Sequence, residues 1–188
     1  MRLFVAIELS NEVKSALTNV QRSLSAWSKA VRWTPAAQLH LTAKFLGEVA
    51  EESVSAIREA VVKVADSAQE FDLTLTGTGC FPPGGAVRIV WVGAADVPVR
   101  LSKLVEGLEN EFEPMGFSRE SRPFSPHLTI GRVQEDSSGG RLRSAVVEAK
   151  VRSVTQRVAA LTLMSSVLSP KGPSYSVVAR AALGTVEM

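Results

Sequence analysis

Leu39-His40-Leu41-Thr42-Ala43-Lys44-Phe45-Leu46-Gly47 and Pro126-His127-Leu128-Thr129-Ile130-Gly131-Arg132 each carry His-Leu-Thr at the head of an alternating apolar run. They contain the only two histidines of the chain, 87 positions apart. Successive side chains on a strand point to opposite faces, so His40 shares a face with Thr42, and His127 with Thr129. Two imidazoles and two hydroxyls can therefore converge on one cleft. By the same parity Lys44 joins His40 and Thr42, whereas Phe45 turns to the core. Counting by twos from His127 reaches Gly131, which puts Arg132 on the opposite face unless the strand ends or bulges there.

Outward from these stretches the chain alternates strands and helices. Leu3 to Leu9 reads as a buried strand, and Ser10 can cap a helix whose apolar stripe runs from Val13 to Trp27. Val31 to Trp33 is a short strand, and Pro35 turns the chain into the first motif. A second helix carries Val54, Ile57, Val61, Val64 and Ala68 on one side, and Phe71 to Thr78 alternates as a strand with one wet face. Phe81-Pro82-Pro83-Gly84-Gly85 is a loop that joins it to a strand over Ala86 to Val92. A third helix spans Val97 to Phe112, and Arg119 to Pro126 is an extended approach to the second motif. Ser137-Ser138-Gly139-Gly140 reads as a mobile loop before a short helix over Arg141 to Lys150. Val158 to Leu168 and Tyr175 to Leu183 are strands about Ser169-Pro170-Lys171-Gly172-Pro173, a hairpin turn. Strands interleaved with helices imply an α+β or α/β sandwich with helices outside the sheets. Similar context 87 residues apart hints at a duplicated lobe.

At 188 residues the chain can bury a substantial core, and its length suggests one domain, residues 1–188. A net charge of +2 is too small for a protein that coats DNA. Between Arg119 and Arg157, however, eight basic residues face four acidic ones around the second histidine, which suits a polyanionic substrate or a solvated basic face. Cys80 is the single cysteine, so no internal disulfide forms. The N-terminal apolar run stops at Glu8, short of a secretory segment, and nothing reaches the roughly 18 apolar residues of a membrane span. The expectation is a cytoplasmic protein without membrane partners.

Histidine titrates near neutrality, so a pair can divide proton transfers, one imidazole as base and the other as acid. At phosphorus the entering and leaving oxygens lie roughly in line, so acid and base should flank the phosphate. Thr42 and Thr129 can donate to non-bridging oxygens, and Lys44 and Arg132 can add positive charge. Arg122 flanks the second motif as a further phosphate ligand or as a carboxylate's partner. Phe45 and Phe124 are candidates to stack on a base, with core packing favoured for Phe45 by parity. No metal-ligand spacing accompanies these residues.

Two His-x-Thr-x motifs with these flanks resemble the 2H phosphoesterase superfamily. More narrowly, the chain is similar to the RNA 2′,3′-cyclic phosphodiesterases once named 2′-5′ RNA ligases. The likeness takes in Met1 to Glu8, both motifs, Phe81-Pro82-Pro83, Val90-Trp91-Val92-Gly93, Arg132 and Tyr175. It implies an α+β, bilobal fold whose two pseudo-symmetric lobes line a central cleft with antiparallel sheets, helices outside, and a single catalytic domain that needs no cofactor. It also implies hydrolysis of terminal RNA 2′,3′-cyclic phosphates to 2′-phosphomonoesters, with His40 as proton donor and His127 as proton acceptor. The expected partners are RNA with such ends or related nucleotides, bound by a monomer. Competing readings are 2′-5′ RNA joining, hydrolysis of small cyclic or 2′-5′-linked nucleotides, and, in another class, a non-catalytic RNA-binding module.

Overall fold

The computed structural model describes residues 1–94, 96–169 and 172–185. Among the described residues nine strands and four α-helices follow in this order: β1 (Arg2–Glu8), α1 (Asn11–Ser23), β2 (Val31–Trp33), β3 (His40–Glu48), α2 (Val54–Asp66), β4 (Phe71–Phe81), β5 (Ile89–Ala94), α3 (Val99–Phe112), β6 (His127–Val133), α4 (Arg141–Glu148), β7 (Val154–Val158), β8 (Ala160–Ser169) and β9 (Gly172–Ala182). The strands form two antiparallel sheets, ordered β3-β1-β8-β9 and β2-β6-β5-β4-β7. Setting β2 aside, the sheets have the same plan: a histidine-bearing strand, its antiparallel neighbour, then two more. This is the expected α+β arrangement of two pseudo-symmetric lobes, and β3 and β6 come into contact at their junction.

The lobes are not the two halves of the chain. The first sheet takes β1, β3, β8 and β9 from both ends of the sequence, so the chain crosses between lobes repeatedly. Helices cover the outer faces as their apolar stripes require: α2 packs on β8 and β9, α3 on β3 and α2, α1 on β6 and β7, and α4 on β4. Ser10 caps α1 as expected, its hydroxyl accepting from the Val13 amide at 3.2 Å.

Two local expectations are corrected, and a third lies partly outside the described residues. The strand placed at Val158 to Leu168 is two strands, β7 and β8, broken at Ala159. In β7 the core-facing position between Val154 and Val158 is Gln156, buried because its amide accepts from the Ser10 backbone amide and donates to the Glu8 carbonyl. That polar residue hides the period-two signal. The loop at 137–140 is pinned: Asp136 accepts from the Val87 amide and from the amide and hydroxyl of Ser138. Of the expected turn at 169–173, Ser169 pairs with Gly172 across the hairpin, and Pro170 and Lys171 lie outside the described residues.

Candidate active site

Each His-x-Thr strand carries a bulge immediately after its threonine. In β3 the register against β1 runs Thr42 to Ala6 and then Lys44 to Val5, leaving Ala43 as the extra residue. In β6 the register against β5 runs Thr129 to Trp91 and then Gly131 to Val90, leaving Ile130 extra. The two extra residues are again 87 positions apart. A bulge reverses the parity of everything beyond it.

That reversal decides which side chains reach the cleft. Arg132 moves to the face of His127 and Thr129, resolving the ambiguity at Gly131 in favour of the bulge. Phe45, the equivalent position in β3, comes to the face of His40 and Thr42 and is 51% exposed rather than in the core. Lys44 goes the other way. It is only 5% exposed, and its Nζ donates to Glu109 Oε2 of α3 at 2.6 Å and to the Ser118 carbonyl at 2.7 Å. The expectation that Lys44 meets substrate is therefore corrected, because the bulge buries it in an ion pair.

His40, Thr42, His127, Thr129 and Arg132 line one cavity of about 220 Å³ between the lobes. Both imidazoles are held alike: His40 Nδ1 lies 2.8 Å from the Gln38 carbonyl and His127 Nδ1 lies 2.8 Å from the Ser125 carbonyl. A carbonyl only accepts, so each Nδ1 carries the proton and each Nε2 is left for chemistry. Burial, reinforced by the positive charge of Arg132, pushes the His40 pKa below that of an ordinary imidazole, and the Gln38 carbonyl opposes the shift.

Aromatic rings fix the imidazoles from the side. Tyr175 stands edge-on to His40 with centroids 5.0 Å apart, and Phe4 packs on the same ring at 4.9 Å. Phe81 meets His127 edge-on at 5.0 Å. Phe81 rests on Trp91, whose indole lies against Gly79 so closely that a Cβ there would fall 2.2 Å from it. Phe45 stacks beside Phe4 at 6.5 Å, with the Arg2 guanidinium 4.9 Å from the Phe45 ring centre. Arg122 is exposed on the approach to β6 and does not line the cavity, and Phe124 packs partly buried against the core.

Sequence reasoning missed Arg32, Gln38 and Pro173, which also line the cavity. Arg32 and Gln38 stand just upstream of the first motif, in and just after the Arg32-Trp33-Thr34-Pro35 run that delivers it. Their charge and amide were the available signal. Pro173 arrives from the far end of the chain and has none.

Two lobes, each presenting one His-x-Thr strand to a shared cavity, define the two-histidine phosphoesterase class. The chain belongs to the 2′-5′ RNA ligase superfamily, whose family model matches residues 18–168. A Methanothermobacter thermautotrophicus RNA 2′,3′-cyclic phosphodiesterase is 32% identical over 94% of this chain and 95% of its own length. A crystal structure of a Thermus thermophilus protein matches all of both chains with a TM-score of 0.84 at 29% identity. Escherichia coli LigT complexed with 3′-AMP matches 97% of both chains, with a TM-score of 0.73 at 27% identity.

Proposed function

We propose that this protein hydrolyses the 2′,3′-cyclic phosphate ends of RNA to 2′-phosphomonoesters by acid-base catalysis between His40 and His127. The observation that carries this reading is the pair of imidazoles lining one cavity, each held through Nδ1 by a backbone carbonyl and each with a threonine on its own face. The near-whole-chain likeness to an RNA 2′,3′-cyclic phosphodiesterase supports the substrate. The protein acts as one catalytic unit, since neither lobe alone holds both histidines.

In this mechanism water attacks phosphorus in line with the P–O3′ bond. Nε2 of one neutral imidazole takes the water proton as the new P–O bond forms, and the other imidazole gives its Nε2 proton to O3′ as that bond breaks. A free 3′-hydroxyl and a 2′-phosphomonoester leave, and the two rings return to their starting states by exchange with solvent. Thr42 and Thr129 hold the non-bridging oxygens as charge builds on them. Phe45, exposed beside the cavity, offers a ring for a base to stack on.

The order of roles is assigned by motif position: His40 the donor, His127 the acceptor. Burial disfavours the protonated form of His40 in the empty cleft, so the donor gains its proton together with the anionic substrate. A bell-shaped pH profile is the same for either order. Leaving-group chemistry separates them. With cyclic-ended oligonucleotide and EDTA present, His40→Ala and His127→Ala each lower kcat by about 10²–10⁴. With a 4-nitrophenyl phosphodiester, whose leaving group needs no proton, His40→Ala recovers most of its loss and His127→Ala does not. The opposite recovery pattern reverses the roles, and full activity in both variants removes the catalytic reading in favour of an RNA-binding module.

A further inference from the structure

Arg32 of β2 and Arg132 of β6 face each other in register across the sheet. Directly opposed residues share a face, and like charges placed so repel one another. Both are exposed, and both line the same cavity as the histidines. Among the described residues lining that cavity, none is acidic. Arg132 reaches this face only because of the bulge at Ile130. The strand order β2-β6-β5 puts Arg32 one strand beyond the one that carries His127 and Thr129.

Arg32 is also held where the lobes meet. Its Nη2 lies so near Gly172 of β9 that a Cβ there would come within 2.7 Å, and Gly172 has φ +116°. The hairpin of the first lobe thus lies against a guanidinium carried by the second. Gln38 Nε2 pins the same hairpin by donating to the Pro173 carbonyl at 2.8 Å.

We propose that Arg32 and Arg132 together form a second anion subsite, which takes the phosphodiester on the 5′ side of the cyclic-ended nucleotide. This rests on the phosphodiesterase reading. With the cyclic phosphate between the histidines, the remaining anions of an RNA end are its backbone phosphates, and the nearest is the one on the same ribose. A guanidinium fork binds such an oxygen pair in two-pronged fashion. An anion between the two arginines turns their repulsion into attraction, so the subsite favours a strand over a nucleoside.

The test is calorimetric binding of two product-like ligands, a nucleoside 2′-monophosphate and the same nucleoside 2′,5′-bisphosphate. The native protein should bind the bisphosphate at least tenfold more tightly. Arg32→Gln should cut that advantage below threefold, and Arg32→Lys, which keeps the charge without the fork, should leave an intermediate one. No advantage in the native protein, or one that survives in Arg32→Gln, overturns the subsite. If thermal unfolding shows Arg32→Gln to be misfolded, the native protein and Arg32→Lys decide: an advantage undiminished in Arg32→Lys overturns the two-pronged contact. Turnover of a cyclic-ended oligonucleotide is followed alongside. An intact bisphosphate advantage without turnover upholds the subsite and sinks the phosphodiesterase reading instead.

Discussion

Replacing Lys44 with methionine should unfold this protein more readily while leaving its chemistry almost untouched. The ammonium is 5% exposed, and it sits 2.6 Å from a carboxylate that is itself buried. Glu109 also accepts weakly from the Glu120 amide at 3.4 Å, and the same ammonium satisfies the Ser118 carbonyl. The pair therefore ties β3 to α3 and to the segment leading into β6. Taking away one member strands the other charge in the core, a loss of about 3–5 kcal/mol. For a domain of this size each kcal/mol lowers the melting temperature by roughly 2–4 °C, so Lys44→Met should melt about 6–20 °C below the native protein. Lys44→Met/Glu109→Leu should regain most of that, because an apolar pair of similar volume often equals a buried ion pair. Calorimetric melting gives the first quantity. Initial rates on a cyclic-ended oligonucleotide, normalised to folded protein well below the transition, give the second. The rate should change by less than about threefold, roughly 0.7 kcal/mol of barrier. A native-like melting temperature combined with a tenfold or larger fall in kcat/KM would refute the burial argument and return Lys44 to the substrate.

Three further outcomes follow from the geometry. The lowered pKa of His40 means that, as pH falls through the unfolded-state value near 6.5, the unfolded chain takes up a proton that the folded one lacks. Stability should therefore fall with acid in that window. Glu8, whose carboxyl is held below its usual range by Arg180, adds a loss of the same sign at lower pH. An anion in the cleft favours protonated His40, so sulfate binding near neutrality should draw in part of a proton. Calorimetry in two buffers of different ionisation enthalpy measures it, and unchanged uptake in His40→Ala would contradict the assignment. Gly131→Ala would put a Cβ 2.6 Å from Val31 and 2.8 Å from the Trp33 ring, at the bulge that aims Arg132. Overpacking of this kind destabilises by about 1–3 kcal/mol. It should also raise KM more than it lowers kcat, and a variant with native melting and native KM would show that β2 yields freely.

Much of the architecture is written locally. Ser10 ahead of an amphipathic stripe makes α1 legible, and the alternation of Phe71, Leu73 and Leu75 makes β4 legible. His40 with Thr42, and His127 with Thr129, needed only strand parity, because nothing intervenes between them. Parity failed one step later. Lys44, Phe45 and Arg132 lie beyond the bulges at Ala43 and Ile130, and all three are placed by those bulges. Gln156 reads as a surface residue until its partners, Glu8 and Ser10, are brought beside it from the opposite end of the chain.

The two motifs, the kind of element most segments form, and the chemistry a paired imidazole can perform are legible locally, since these depend on neighbours two to four residues away. Tertiary structure alone decided that Lys44 is buried, that Phe45 and Arg132 occupy equivalent places in opposite lobes, and that Arg32 stands beside Arg132 under the turn at Gly172. A bulge exists only as a mismatch of register with another strand, and a buried charge is stable only once its counter-charge has arrived from elsewhere. Neither can be read from the residues on one side of the pairing.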